Sequence, residues 1–161
     1  MTIAAGEKMP SGALGIMTEA GPGAISTDEL FSGKKVVLVS VPGAFTPTCS
    51  MNHLPGYVDQ AEALKVKNVD SVACMAVNDV FVMDAWGKDR GVGDKVMMLA
   101  DGNGEYAAAL GLELDASGFG MGTRGQRFAI VVDDGVATHV AVEAPGQFEV
   151  SKVEAILEAL S

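Results

Sequence analysis

A cysteine at the predicted start of a helix is the side chain in this sequence with the most chemistry to offer. Cys49 ends the segment Pro42-Gly43-Ala44-Phe45-Thr46-Pro47-Thr48-Cys49, in which a threonine hydroxyl suits the helix cap and the second proline suits the first turn. There the sulfur faces unpaired backbone N–H groups and the positive end of the helix dipole, and both favour thiolate over thiol. Cys49 is therefore a candidate nucleophile. From position alone, an ordinary buried core cysteine is the alternative.

Alternating strand and helix patterns place this cysteine between a buried strand and a helix. The β-branched run Lys34 to Val41 predicts a strand buried on both faces, and a helix is predicted from Cys49 to Lys65 with a kink at Pro55-Gly56. Further strands are predicted over 71–77, 95–100, 127–132 and 136–142, and further helices over 78–86, 106–110 and 151–160. Residues 1–27 are predicted as loops or a short hairpin, and Ser151 as the cap of the last helix. These elements predict an α/β fold with a mixed central sheet flanked by helices.

A histidine four residues after the cysteine raises the question of a catalytic pair. Cys49 and His53 are predicted to lie on one helix face, as a Cys–His nucleophile pair would require. We favour a histidine that supports the pocket. A disulfide oxidoreductase would need Cys-x-x-Cys, but Asn52 stands at the third position after Cys49. No motif context supports a cysteine hydrolase, and Cys49 with His53 supplies only half a metal-ligand set, so we expect no metal.

The segment around Cys49 closely resembles the active-site loop of peroxiredoxins, whose motif is Pro-x-x-x-Thr-x-x-Cys. The longer match resembles the type II, peroxiredoxin-five-like, subfamily. It comprises Val41 to Ser50, His53-Leu54-Pro55-Gly56, Val72 to Asp79, Phe81-Val82, Trp86-Gly87, Arg127-Phe128 and Asp134-Gly135. This resemblance implies a thioredoxin-like fold, with residues 1–161 as a single redoxin domain. It also implies a thiol peroxidase that acts on hydrogen peroxide and alkyl hydroperoxides without a cofactor.

The resemblance also implies a role for each matching residue. Cys49 would be the peroxidatic cysteine, whose thiolate attacks a hydroperoxide and becomes a sulfenic acid. Pro42 would shield the sulfur from water, and Thr46 would hold the peroxide through its hydroxyl. Arg127 would steady the thiolate and donate to the peroxide oxygens. Simpler alternatives are an arginine paired with a carboxylate, a threonine that only caps the helix, and a proline that only ends the strand.

Other residues of the matching segments receive supporting assignments. Gly43 and Thr48 are candidate substrate-binding residues, whose backbone N–H groups would add to the anion site around the sulfur. Trp86 is expected to pack near the pocket or a dimer surface, and His139 is assigned no role.

The second cysteine, Cys74, lies in the middle of a predicted buried strand, and we interpret it as a core residue. No cysteine follows it in residues 75–161, whereas subfamily members with an internal disulfide carry a resolving cysteine near the C-terminus. We therefore expect an external reductant, glutathione with glutaredoxin first and thioredoxin second. The resemblance also implies a homodimer, for which Phe45, Phe119 and Met121 are candidate contacts, although they could equally be core residues.

Composition excludes several other classes of protein. The formal net charge of −10 argues against binding to nucleic acid or anionic membranes. The longest apolar runs are far shorter than the roughly 20 residues that span a bilayer. Two cysteines and two histidines are too few for a disulfide scaffold or a closed zinc site. Since residues 1–17 show no signal-peptide pattern, we expect a cytoplasmic protein.

A non-enzymatic peroxide sensor or redox-regulated chaperone using the same cysteine, Cys49, is the alternative function.

Overall fold

A seven-stranded mixed sheet forms the centre of the molecule in the computed structural model, which describes residues 2–161. The strands are β1 (Ala13–Thr18), β2 (Gly21–Ser26), β3 (Lys35–Ser40), β4 (Ser71–Ala76), β5 (Met97–Ala100), β6 (Glu113–Asp115), β7 (Thr123–Gly125), β8 (Phe128–Asp133) and β9 (Val136–Val142). The central sheet has the order β2-β1-β5-β4-β3-β8-β9, and β6 and β7 form a separate hairpin. Strands β3, β4 and β5 run parallel, and the other pairings are antiparallel. The predicted α/β class with a mixed sheet is confirmed.

Helices cover both faces of this sheet and create two apolar cores. They are α1 (Thr27–Phe31), α2 (Leu54–Asp59), α3 (Ala61–Val66), α4 (Val80–Asp89), α5 (Glu105–Leu110) and α6 (Val153–Ala159), with a π-helical turn at Cys49–His53 and a 3₁₀ turn at Ser117–Phe119. One core lies under α2, α3, α4 and α6, and the other under α1 and α5. Val37 and Val39 of β3 point into the first core, whereas Val36 and Leu38 point into the second. Burial on both faces explains why this strand is apolar without alternation.

The carboxyl ends of the parallel strands meet at one edge of the sheet, and the cysteine loop lies there. Residues 41–48 follow β3 directly, and Asn78 follows β4. The backbone N–H of Ala44 donates to Asn78 Oδ1 at 3.0 Å, which ties the two loops together. Asp79 caps α4 by accepting from the backbone N–H of Val82 at 2.8 Å. Across residues 2–161, no helix has the length and apolar character needed to cross a membrane.

The observed helix after Cys49 differs from the prediction because the irregularity that Pro55 causes lies in the turn before the proline. The predicted kink at Pro55-Gly56 is wrong. The irregularity is the π-helical turn that precedes the proline, and the helix is interrupted again at Gln60, where φ is −101° and ψ is 17°. Pro55 cannot donate to the carbonyl four residues earlier and its ring crowds that carbonyl, so the preceding turn widens.

Three other local features also differ from the prediction. Ser151 is not the cap of α6; that position belongs to Lys152, which makes no side-chain cap bond. Helix α1 was not predicted, although Ser26 and Glu29 form a capping box at its start. The β6–β7 hairpin was not predicted either, since three residues are too few to show a strand pattern. The short hairpin expected within residues 1–27 is present as β1 and β2.

Candidate active site

The loop before Cys49 is held in a tight conformation by its own hydrogen bonds. The Thr46 hydroxyl donates to the Gly43 carbonyl at 2.7 Å. Between them, Phe45 adopts a φ of 64°, a left-handed conformation that is strained for an aromatic residue and persists only where its surroundings impose it. A side chain on Gly43 would meet Thr46 Cγ2 and Met121 Cε, both at 3.2 Å. The loop is therefore preorganised, and Thr46 and Met121 lie so close to the backbone of Gly43 that a side chain there would force them to shift.

The threonine hydroxyl thus has a different partner from the one expected of a helix cap. Helical backbone begins at Pro47, and the residue at the N-cap of the π-helical turn is Thr48, which makes no side-chain cap bond. Because the Thr46 proton points to a carbonyl, its oxygen lone pairs stay available to accept a hydrogen bond from a ligand. The Thr46 carbonyl accepts from the backbone N–H of Ser50 at 2.9 Å, as at a helix start, while its hydroxyl makes no cap bond.

Cys49 begins the π-helical turn, and its sulfur lies in direct contact with an arginine. The side chain is 0% exposed, and Arg127 Nη2 donates to Cys49 Sγ at 3.1 Å. Arg127 Nη1 also contacts His53 Nδ1 at 2.9 Å, and the guanidinium carbon lies 5.8 Å from the ring centre of Phe148. Throughout residues 2–161, this guanidinium forms no ion pair with a carboxylate. The alternative of an ordinary surface ion pair is therefore wrong, and the Arg127 guanidinium instead places its positive charge against the sulfur.

His53 is buried and neutral, and both of its ring nitrogens have partners. Arginine can only donate, so Nδ1 accepts from Arg127, and Nε2 carries the proton that it donates to the Ser151 carbonyl at 3.1 Å. Burial and, to a smaller extent, the Arg127 charge lower the pKa of His53 from 6.5 to about 3, against the raising effects of the Ser151 bond and Glu143. The ring therefore orients Arg127 and does not accept a proton from Cys49.

A loop after β9 completes this network, and no sequence pattern pointed to the residues of that loop. The Glu143 carboxylate accepts from the Ser151 hydroxyl at 2.6 Å and from the backbone N–H groups of Ser151 and Glu149, both at 2.8 Å. The Ser151 carbonyl in turn accepts from Tyr57 Oη at 2.6 Å as well as from His53. Burial raises the pKa of Glu143, but the hydrogen bonds from Ser151 and Glu149 outweigh it and hold the pKa below its usual value.

A signal for part of this network was present in the sequence. Cys49, His53 and Tyr57 recur every fourth residue and so share one helix face, a spacing that points to Tyr57 as well as to His53. Phe148 has no such signal, and its ring meets His53 edge-on with centroids 5.1 Å apart. No local pattern connects Glu143 to Cys49, because the connection passes through three other residues, Ser151, His53 and Arg127.

A cavity of about 190 Å³ opens beside Arg127 and receives several of the predicted residues. Pro42, Thr48 and Arg127 line it together with residues 143–148. Gly43 does not line this cavity; it packs against Thr46 and Met121 instead. The structure thus brings Pro42, Thr48 and Arg127 to one opening beside the buried sulfur, large enough for a small molecule.

The remaining predicted residues lie around this centre. Cys74, on β4, lies opposite Val39 of β3 and is fully buried with a free thiol. Burial, and to a smaller extent nearby Cys49, raises the pKa of this thiol. Trp86 is also buried, and its Nε1 donates to Ser50 Oγ at 2.8 Å. The arrangement offers a shielded sulfur nucleophile with a cationic donor beside it, which suits attack on a small electrophile that releases an oxyanion.

Comparisons with known proteins agree with this chemistry. The sequence model of the redoxin family matches residues 4–157. Peroxiredoxin-2B of Arabidopsis thaliana is 48% identical over 159 residues, which cover 98% of each chain. The chain is a peroxiredoxin of the redoxin family.

Solved structures place this peroxiredoxin's fold within the same family. Reduced Prx3 of Vibrio vulnificus, in complex with hydrogen peroxide, superposes with a TM-score of 0.96 at 51% identity and covers 99% of this chain and 100% of its own. Peroxiredoxin 5 of Alvinella pompejana superposes with a TM-score of 0.86 at 35% identity, covering 98% and 97%. The resemblance to peroxiredoxins and the predicted thioredoxin-like fold are confirmed, and family membership supports a thiol peroxidase role.

Proposed function

We propose that this peroxiredoxin reduces hydrogen peroxide and alkyl hydroperoxides at Cys49 and is regenerated by an external thiol. The observation that carries this proposal is the 3.1 Å contact between Arg127 Nη2 and the buried Cys49 sulfur. A guanidinium at this distance stabilises the thiolate and lies where charge develops as the peroxide bond breaks. The Vibrio vulnificus relative that holds hydrogen peroxide supports the choice of substrate.

The peroxide step follows from the donors and acceptors around the sulfur. The Cys49 thiolate attacks the terminal peroxide oxygen, so an S–O bond forms as the O–O bond breaks. The leaving hydroxide or alkoxide takes up a proton, and water or an alcohol departs from the cysteine sulfenic acid. Thr46 accepts a hydrogen bond from the peroxide, because its own proton is directed to Gly43. Arg127 donates to the peroxide oxygens, Pro42 keeps bulk water from the sulfur, and the backbone N–H of Thr48 faces the substrate.

The catalytic cycle closes with two thiols from outside the chain. One thiol attacks the sulfenic acid, which forms a mixed disulfide and releases water; a second thiol then releases the Cys49 thiol and a disulfide. Two observations support an external reductant. Cys74 is fully buried with a raised pKa, and no cysteine occurs in residues 75–161. We place glutathione with glutaredoxin ahead of thioredoxin as the reductant.

The decisive experiment measures peroxide consumption by stopped flow. Wild type and Cys49→Ser are compared with glutathione plus glutaredoxin and, separately, with thioredoxin. We expect wild type to consume peroxide orders of magnitude faster than a free thiol, and Cys49→Ser to consume none. A rate no faster than a free thiol would end the peroxidase proposal. A single fast turnover that neither reductant can repeat would favour the sensor or chaperone alternative.

We also propose that the protein is a homodimer that uses the exposed apolar side chains beside the cysteine loop. Phe45 is 52% exposed and Phe119 is 86% exposed, and Met121 lies beside Gly43 of the cysteine loop. Large exposed apolar side chains close to one another mark interaction surfaces. Sedimentation equilibrium should give twice the chain mass for wild type and the monomer mass for Phe119→Ser. A monomeric wild type would refute the dimer and leave the peroxidase proposal intact.

The cytoplasmic location stays a prediction.

A further inference from the structure

The Cys49 sulfur is closed to any reductant larger than a peroxide. It is 0% exposed, and a disulfide brings two sulfurs to about 2.05 Å. A peroxide can enter as a small molecule, but the sulfur of a tripeptide or protein thiol cannot make that approach while the π-helical turn is in place. Reduction of the sulfenic acid therefore requires this turn to open, and the contacts that hold the turn affect how fast it happens.

The turn has one backbone carbonyl that its own helix cannot satisfy. Leu54 N–H donates to the Cys49 carbonyl, five residues back, as in a π-helix. The next donor in that pattern, for the Ser50 carbonyl, would be residue 55, which is Pro55 and has no N–H. Arg90 fills this position from outside the helix, since its Nη1 donates to the Ser50 carbonyl at 3.1 Å.

Helix α4 also binds the side chain of Ser50. Trp86 Nε1 donates to Ser50 Oγ at 2.8 Å, so α4 and the residue that caps its C-terminal end, Arg90, bind the Ser50 side chain and carbonyl. Trp86 is fully buried, whereas the Arg90 side chain is 34% exposed. Asp89 Oδ2 lies 3.1 Å from Arg90 Nε and 3.0 Å from Nη2, which orients the guanidinium. The Arg90 bond competes with water, and the Trp86 bond does not.

We propose that Arg90 is a positioning residue for the reductive half of the cycle: by donating to the carbonyl that Pro55 leaves unpaired, it determines how often the Cys49 turn opens. This inference rests on the proposed function, but opening of the turn can be measured whether or not the protein is a peroxidase. Loss of one charge-assisted hydrogen bond at a partly exposed site corresponds to ~1 kcal/mol, or about a fivefold larger open population.

Alkylation of Cys49 by a bulky maleimide tests this inference in the reduced protein, without peroxide. The variant is Arg90→Met, and the matched control is Lys88→Met. Lys88 is a cation on the same helix, with a 78% exposed side chain that pairs only with Asp84, at 3.0 Å, among the described residues. Peptide mass spectrometry assigns the label to Cys49. We expect about fivefold faster labelling in Arg90→Met at every pH, with the midpoint of the pH profile unchanged, and the wild-type rate in Lys88→Met.

Two labelling results would overturn the inference. One is an Arg90→Met labelling rate equal to that of wild type. The other is a rate change fully explained by a shifted midpoint of the pH profile, which would mean that Arg90 acts through its charge on the sulfur. Faster labelling combined with no peroxidase activity in wild type would support the Arg90 inference and refute the proposed function. With peroxide, Arg90→Met should keep the wild-type rate of Cys49 oxidation and show about fivefold faster sulfenate reduction by thioredoxin or glutaredoxin; a parallel fall in both rates would contradict it.

Discussion

Acidification should destabilise this protein through one buried histidine. Both ring nitrogens of His53 are engaged, with Nδ1 accepting from Arg127 and Nε2 donating to the Ser151 carbonyl. Protonation of Nδ1 would break the Arg127 bond and place two cations together in a buried site. The folded state therefore keeps the ring neutral, with a pKa of about 3 against 6.5 for the free side chain.

The size and sign of the effect follow from the two pKa values. As the pH falls below 6.5, the unfolded chain binds a proton at His53 while the folded protein does not, so unfolding becomes more favourable. The resulting loss is close to zero at pH 7.5 and reaches about 2 kcal/mol at pH 5. It continues to grow until the pH approaches the folded value of about 3. Measurements above pH 5 keep the titration of most carboxyl groups out of the comparison.

Urea unfolding from pH 7.5 to pH 5 tests this prediction in wild type, His53→Asn and His139→Asn. An asparagine amide can accept and donate without titrating, so His53→Asn should lose the ~2 kcal/mol dependence, although the smaller side chain lowers its stability at every pH. His139 on β9 is the only other histidine, and its variant should retain the wild-type slope. An unchanged slope in His53→Asn would refute the assignment of a neutral, doubly bonded ring.

Three further substitutions test other parts of the network. Arg127→Lys keeps the charge, but one ammonium cannot reproduce the guanidinium's paired contacts, so stopped flow should show a roughly 100-fold slower reaction of Cys49 with peroxide; a loss below about threefold contradicts this. Glu143→Gln removes the charge from the bonds that Ser151 donates and should lower the free energy of unfolding by about 1–2 kcal/mol at pH 7. Because the pKa of Glu143 is depressed, its contribution to the free energy of unfolding is present above the usual carboxyl pKa of 4.5 and lost below it. The stabilities of variant and wild type, measured by urea titration, should therefore converge in acid. Equal stability at pH 7 would count against the carboxylate's role. Cys74→Ser should keep turnover with glutathione and glutaredoxin within about twofold, because the thiol is fully buried, while the buried hydroxyl costs about 1–3 kcal/mol of stability; loss of most turnover in a folded variant would instead make Cys74 the resolving cysteine.

The fold was largely predictable because its central strands are long apolar runs. Strands β3, β4 and β8 are buried on both faces, so their composition alone identifies them. Helix α1 and the β6–β7 hairpin span five residues and three residues per strand, too short for periodicity to show. The wrong cap at Ser151 has a different cause. A serine before an apolar run suits a cap, but here a distant carboxylate, Glu143, binds its hydroxyl.

The site was predictable only as far as local motifs reach. The segment ending at Cys49 identified the nucleophile, and the short match at Arg127 identified its cationic partner. What the sequence could not supply is the order of contacts from Arg127 through His53 to Ser151, because these residues are brought together only by the packing of the π-helical turn, the start of β8 and the loop after β9. Arg90 has no motif at all, and its contact with Ser50 depends on where α4 ends.

The indole hydrogen bond to Ser50 gives this molecule an internal optical probe. Trp86 is the only tryptophan in the chain, and it is fully buried with its N–H bonded to the residue next to Cys49. When the turn opens, the indole loses this partner and meets a more polar environment. Tryptophan emission therefore reports the state of a single turn, so opening of that turn can be followed in real time in the unlabelled protein.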